Sequence, residues 1–326
     1  MNKELPAWRG YWVAAPTPFD QKGALEPRLL SNLVRLYVAH GVHGILINGS
    51  TGEWWAQSDT ERQAVLQVAV EAAGGDVPIV AGVSHMVPHG AIELARAAAD
   101  AGASGVLATV PPYVRPTESE SMQWYQQLAK NSPLPIMVYN WPRGVGVDLS
   151  LSLLDELADV DNIVAIKDSS GDELKTLRAL EQLEGRVRFF ARFVSRRGLG
   201  ILRELGGDGN IDGGGLGAVF AAGFYEAVWQ GDLTRARQLS EKYQTMSAAL
   251  VDADYAGRFG SPVAQLKAVM RHLGQPGGYV RPPLLEVEPG PVVQAFESAA
   301  ANTGLLTEIA SIEREHPITP SRVVPQ

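Results

Sequence analysis

Lys167 stands last but one in the segment 163–168, which reads Ile-Val-Ala-Ile-Lys-Asp. Its β-branched residues predict a short strand buried on both faces, the kind a parallel sheet uses. Burying an ammonium is costly, so a lysine at such a strand end must pair, reach solvent or lose its proton. A lysine that is neutral near pH 7 is a nucleophile able to form a Schiff base with a carbonyl. The plain alternative is a strand-end lysine that snorkels into water, and its neighbours in the chain weigh against that. Tyr139 ends the run 135–139 and is followed by Asn140-Trp141-Pro142. A phenol beside an amine can shuttle the protons of imine formation and hydrolysis. The stretch 48–53, Asn-Gly-Ser-Thr-Gly-Glu, offers the hydroxyls of Ser50 and Thr51 and turn N–H groups suited to a carboxylate. Taken singly, Tyr139 could be an interior hydrogen-bonding phenol and the Gly-Ser-Thr-Gly stretch a tight turn. Glu53 reads as structural, its carboxylate complementing backbone amides.

All three stretches need elements that bring them together. Short apolar runs recur at 11–15, 44–48, 78–82, 105–109, 135–139, 163–167, 187–191 and, more weakly, 209–212. Helical patterns lie between and after them at 26–40, 58–73, 88–101, 117–131, 150–160, 171–183, 195–205 and 216–230. The second opens on Ser58-Asp59-Thr60-Glu61, a capping box. Strands alternating with helices pair in parallel through right-handed crossovers. Eight such units close most simply into an α/β protein of the (β/α)8 TIM barrel type, spanning residues 1–231. In that architecture catalytic groups sit at the C-terminal strand ends, where Lys167, Tyr139 and the Ser50–Thr51 turn fall. Helical patterns at 233–250, 262–273 and 291–301, without strands between them, predict a C-terminal helical appendage over 232–304. Residues 305–326, ending in a proline-bearing stretch, read as an extended or disordered tail.

Composition removes whole classes of function. A chain of 326 residues with a net charge of −8 has no general affinity for nucleic acid or anionic membrane. Cysteine is absent, which excludes disulfides, thiolate catalysis and cysteine-ligated metals. No run of 18 apolar residues and no secretory signal occurs, so a cytoplasmic location is expected. His85 and His89 have i, i+4 spacing, but Pro88 lies between them and no acidic third ligand is evident; no metal is expected. The glycine-rich run 206–215 matches neither a dinucleotide fingerprint nor a Walker loop. It reads as a tight eighth strand whose glycines make room at the barrel mouth. Trp54 and Trp55 read as interface residues ahead of pocket walls.

Gly49-Ser50-Thr51-Gly52-Glu53, Tyr139-Asn140-Trp141-Pro142 and Ile166-Lys167-Asp168-Ser169-Ser170-Gly171-Asp172 resemble three motifs of one family, in order and spacing. It is the dihydrodipicolinate synthase and N-acetylneuraminate lyase group of class I pyruvate-dependent aldolases. The stretches 14–19 and 111–113 are similar to it as well. The resemblance implies Lys167 as Schiff-base lysine, Tyr139 as acid–base phenol, and Ser50 and Thr51 as carboxylate contacts and proton relay. It places Gly52, Tyr113 and Ser169 in the substrate-binding set and implies a homo-oligomer, dimer or tetramer. No metal or organic cofactor is expected, since the protonated imine is itself the electron sink.

Departures from the family pattern are equally specific. Members that make dihydrodipicolinate carry an arginine after the Tyr-Asn-x-Pro stretch; here it falls on Gly144, with Arg143 one residue early. Their second tyrosine after the Pro-Tyr pair is Val114 here, and the seventh-strand loop reads Val194-Ser195-Arg196-Arg197. Cations at a helix N-terminus oppose the macrodipole, so Arg196 and Arg197, with Arg143, are expected to grip a second carboxylate or a phosphate of the substrate. The expectation is a Schiff-base lyase for pyruvate or another 2-oxo acid, with an acidic partner such as a keto-deoxy sugar acid. The rivals are dihydrodipicolinate synthase proper and a non-catalytic keto-acid binder.

Overall fold

The eight apolar runs become eight parallel strands: β1 (Gly10–Ala14), β2 (Gly44–Ile47), β3 (Ile79–Gly82), β4 (Gly105–Ala108), β5 (Ile136–Asn140), β6 (Ile163–Asp168), β7 (Arg188–Phe190) and β8 (Gly209–Gly213). They pair in sequence order, and β8 returns to β1 to close the barrel. The computed structural model describes residues 3–252 and 255–315. Around the barrel lie α1 (Pro27–Ala39), α2 (Asp59–Ala73), α3 (Pro88–Asp100), α4 (Glu118–Asn131), a one-turn α5 (Pro142–Val145), α6 (Leu151–Ala158), α7 (Glu173–Leu183), α8 (Arg196–Glu204) and α9 (Ala218–Trp229). The helices begin where local chemistry supplies a start. Ser58 with Glu61 and Thr117 with Glu120 form complete capping boxes, and Ser150, Asp172, Ser195 and Asp232 each cap a backbone N–H.

Two layers of core follow from strand alternation. Outward residues such as Ile45, Val106, Ile136 and Ile166 pack against the helices. Inward residues fill the barrel itself, where Trp8, Trp12 and Phe190 meet edge to face with centroids 5.7 and 5.5 Å apart. Gly44 and Gly105 open their strands for that reason. A Cβ on either would come within 2.3 and 2.4 Å of the Trp12 and Trp8 rings respectively. The indoles plug the lower half of the barrel.

After the barrel come α10 (Leu233–Leu250), α11 (Pro262–His272) and α12 (Pro289–Thr303). Residues 305–315, expected to begin an extended tail, instead form α13 (Leu305–Glu315). Gly304 ends α12 in the left-handed region, and Leu305 and Ile309, one helical turn apart, are buried in the main core. The rest of that expected tail, 316–326, lies outside the described residues.

One polar link ties this C-terminal part to the barrel. Lys267 on α11 and Glu53, just beyond β2, form an ion pair with both side chains fully buried. The ammonium also donates to the carbonyls of Thr17 and Tyr279, each at 2.7 Å, so its three protons are all used. Glu53 accepts the Arg281 backbone N–H at 2.9 Å, in keeping with its structural reading, and sits at φ 55°. Removing one partner of such a pair leaves an uncompensated buried charge, at a cost of about 3–5 kcal/mol. Lys267→Met and Glu53→Gln are each expected to lower unfolding stability by about that amount in denaturant titrations, and the double variant by less than their sum. Single-variant losses below about 1 kcal/mol, as exposed pairs give, would show that the link does not hold the fold.

Candidate active site

Strand register decides which side chains meet. Between β5 and β6 the pairing runs Ile136↔Ile163 and then Met137↔Ala165, a one-residue irregularity that leaves Val164 unopposed. A slip of this kind exchanges the two faces of a strand, and bulges beside active sites re-aim side chains this way. Beyond it Tyr139 lies directly opposite Lys167, both facing the barrel interior. The Lys167 Nζ sits over the phenol ring, 4.0 Å from its centroid, and the two residues are only 6% and 5% exposed. Asn140 and Asp168 face the other way. There the Asn140 amide donates to Asp168 at 2.7 Å and to Asp148 at 2.8 Å, fixing the strand ends against each other.

Burial pushes the Lys167 amine down to about 8, against the opposing pull of the Asp212 carboxylate. Burial also raises the Tyr139 phenol well above its ordinary value, although hydrogen bonds with Ser169 and Ser50 pull it part of the way back. The phenol therefore keeps its proton at neutral pH, while a minority of the amine, growing as the pH nears 8, has lost its own.

A cavity of about 790 Å³ opens above this pair. Of the residues singled out from sequence, Lys167, Tyr139, Ser50, Thr51, Ser169 and Arg143 line it. Four others do not. Gly52 faces away, its carbonyl accepting from Thr17 Oγ1 at 2.8 Å and Gln57 Nε2 at 2.7 Å. Tyr113 is 92% exposed, at φ 73°, outside the cavity. Arg196 and Arg197 do begin a helix, α8, yet they line a neighbouring cavity of about 840 Å³, and Arg197 is ion-paired with Glu173 on α7. The reason is local. The Phe193 and Val194 N–H groups donate to Asn210 Oδ1, and the two residues are buried, so the chain turns outward before the arginines begin. Trp54 and Trp55, read from sequence as interface residues, both line the Lys167 cavity.

Many wall residues escape the sequence reading, and three of them bear on the reactive pair. Asp212, near the end of β8, accepts from Asn210 Nδ2 at 2.6 Å and from the Tyr243 hydroxyl, which is hydrogen-bonded in turn to Tyr11. It is a carboxylate held in place on the cavity floor. Its place at a barrel strand end is the available signal, masked by the glycines around it. Those glycines do make room: a Cβ on Gly213 would lie 2.8 Å from Thr51 Oγ1. Trp141 stacks on Tyr139 at 6.0 Å and 15°, and Tyr255, between α10 and α11, meets Trp141 edge-on at 5.2 Å. Gly144 has no room for a side chain, because a Cβ there would stand 2.1 Å from the Trp141 ring. Among the described residues, no group of three or more His, Asp or Glu is placed to hold a metal, and no helix is long and apolar enough to cross a membrane.

A parallel eight-stranded barrel with a buried amine and phenol paired at the ends of β5 and β6 is the architecture of class I aldolases. The chain belongs to the dihydrodipicolinate synthetase family, whose model matches residues 7–294. It is 31% identical over 288 residues to an uncharacterized DapA-like lyase of Rhizobium meliloti, covering 85% of this chain and 90% of that protein. It is 32% identical over 306 residues to a 4-hydroxy-tetrahydrodipicolinate synthase of Stenotrophomonas maltophilia, covering 93% and 97%. Among solved structures it is similar to the chloride-inhibited dihydrodipicolinate synthase of Acinetobacter baumannii complexed with pyruvate. That likeness has a TM-score of 0.82 and 28% identity, and covers 91% of this chain and 99% of that one. The N-acetylneuraminate lyase of Mycoplasma synoviae shares the fold, at a TM-score of 0.76. The chain is thus an enzyme of the class I pyruvate-dependent aldolase and lyase group.

A lysine with these surroundings should titrate far below the ordinary value of about 10.4. Competitive acylation read by peptide mass spectrometry is expected to show Lys167 reactivity rising with pH through a midpoint of about 8. Because the Asp212 carboxylate favours the ammonium, Asp212→Asn is expected to move that midpoint lower. A midpoint near that of exposed lysines, or an upward move in the variant, would contradict this electrostatic picture.

Proposed function

We propose that Lys167 condenses with the carbonyl of pyruvate or a related 2-oxo acid and that this chain makes or breaks a carbon–carbon or carbon–oxygen bond through the resulting imine. The neutral amine attacks the ketone, and Tyr139 donates a proton to the departing hydroxyl, which leaves as water. Loss of a C3 proton from the protonated imine then gives an enamine, the carbon nucleophile. Ser50 and Thr51 hold the keto-acid carboxylate, Ser50 returns protons to Tyr139, and Ser169 steadies the phenol. The observation that carries this reading is the buried Nζ 4.0 Å from the Tyr139 ring centroid, with its amine lowered to about 8. Aldol addition, its reverse, and dehydration of a keto-deoxy acid all use this intermediate.

For the acidic second substrate expected from sequence, the cavity wall offers a single arginine among the described residues, Arg143, which is exposed. Arg196 and Arg197 would reach that substrate only through the neighbouring cavity, which Tyr255 also lines. Synthesis of dihydrodipicolinate is the weaker reading, because the Trp141 ring fills the space a side chain at 144 would need. The chain acts as a homo-oligomer in this proposal. Supporting it, Trp55, Met86, Val87, Tyr113 and Val114 are exposed on consecutive loops after β2, β3 and β4.

Borohydride reduction in the presence of pyruvate is expected to leave a pyruvate-derived secondary amine on Lys167, located by peptide mass spectrometry. Lys167→Met should abolish both adduct and turnover, and Tyr139→Phe should slow turnover by about 10²–10⁴-fold. Saturable pyruvate binding without any adduct would favour the non-catalytic binder instead. Light scattering should give a mass of two or four chains; a monomer would remove the assembly proposal.

A further inference from the structure

The cavity above Lys167 is far larger than a three-carbon acid requires. Its volume of about 790 Å³ falls within the span of about 300–1,000 Å³ typical of clefts for drug-sized ligands. Most of its polar side chains gather at the floor, where Lys167, Tyr139 and Asp212 stand at strand ends and Ser50, Thr51 and Ser169 just beyond them, while Ser247 and Ser261 are hydroxyls on the helical side. The upper wall is of another character. Trp54, Trp141 and Tyr255 supply rings, while Met246 on α10 and Val263 and Leu266 on α11 supply aliphatic and thioether surface. Only three wall residues carry formal charge among those described: Lys167, which the imine consumes, Arg143 on the exposed side, and Asp212. Asp212 is held in place as a fixed anion by Asn210 and Tyr243.

From this distribution we infer that the part of the substrate beyond the 2-oxo acid is a flat apolar group, and that the second substrate is an aryl aldehyde or its aldol adduct. An acceptor bearing a further carboxylate would meet the Asp212 anion and one exposed guanidinium. An aryl ring would meet indole and phenol faces at stacking or edge-on geometry and a methionine, contacts that reward burial of a flat apolar body. Gly144 contributes to the same end, since its lack of a side chain lets the Trp141 indole stand against the wall. Trp141 is itself stacked on Tyr139, so a ring laid along that wall brings its carbonyl toward the phenol.

The chemistry balances without any oxidant or reductant. C3 of the pyruvyl enamine attacks the aldehyde carbon, forming one carbon–carbon bond. The carbonyl π pair moves to oxygen, which takes the Tyr139 proton. Water then hydrolyses the imine, freeing Lys167 and a 4-aryl-4-hydroxy-2-oxobutanoate. Loss of a C3 proton and the C4 hydroxyl as water gives the conjugated acid, and the same steps reversed cleave it.

This inference rests on the imine reading above, and the test separates the two. The full-length enzyme is incubated with pyruvate and, in parallel, benzaldehyde, 1-naphthaldehyde, pentanal and succinic semialdehyde, with products followed by mass spectrometry and borohydride trapping run alongside. The aryl aldehydes are expected to exceed succinic semialdehyde in kcat/KM by about tenfold or more. Trp141→Ala and Met246→Ala are each expected to raise KM for benzaldehyde more than KM for pyruvate. Should either variant fail to fold, the wild-type panel alone decides. Equal or better use of succinic semialdehyde, or no turnover of aryl aldehydes while the pyruvate adduct forms, overturns the aryl assignment and leaves the imine reading standing. Absence of the adduct removes both.

Discussion

The buried Lys267–Glu53 pair is the constraint on which the site depends. Glu53 immediately follows Gly52 in the turn that carries Ser50 and Thr51, and its backbone is left-handed, a conformation a glutamate adopts only when its surroundings demand it. The demand comes from α11 and the segment after it. Lys267 supplies the ammonium, Arg281 supplies a backbone N–H, and the Arg281 guanidinium reaches Glu61 at 2.6 Å and the Ala56 carbonyl at 2.8 Å. The two hydroxyls are therefore placed by residues more than 200 positions downstream in the chain. The C-terminal helices are part of the site's scaffold.

Two buried lysines in one fold show how surroundings divide structural from chemical use. Burial lowers both to about 8. Lys267 spends all three protons on two carbonyls and a carboxylate, and its ion pair has no exposure to reactants. Lys167 rests on an aromatic face, with no carboxylate in salt-bridge contact among the described residues, and opens on a cavity. The plug of Trp8, Trp12 and Phe190 beneath it closes the barrel's lower half, so the desolvation that frees the amine is built into the interior packing.

Much of this is legible in the sequence, for identifiable reasons. Strand and helix positions follow from local apolar runs and capping residues, and Lys167, Tyr139, Ser50 and Thr51 stand at the ends of elements those patterns locate. What local pattern cannot carry is register. The irregularity opposite Val164 sets Lys167 and Tyr139 on one face, and it exists only in the pairing of two strands. The outward turn at Phe193 and Val194 depends likewise on Asn210 from another strand, which is why chain position alone sets Arg196 and Arg197 nearer to Lys167 than they are. Trp54 and Trp55 rank as interface residues ahead of pocket walls in sequence, because only packing of the C-terminal helices over the barrel mouth encloses a space for them. Residues 305–315 resemble a tail because two buried side chains on a short polar helix are a weak signal until a partner surface exists.

Neighbouring residues on α11 join the two halves of this account. Leu266 faces the cavity, while Lys267, about 100° further round a helix of 3.6 residues per turn, faces Glu53. A shift of α11 that reshaped the apolar wall would also strain the pair that holds the Ser50–Thr51 turn. Acceptor choice and keto-acid binding are in this way mechanically coupled through one helix. Substitutions confined to Met246 on α10 or to Trp141 alter the wall without touching that pair, whereas enlarging Leu266 pushes on both. A fold whose strand ends supply the reactive groups can thus vary its second substrate by repacking helices added after the barrel, provided the Lys267–Glu53 link stays seated.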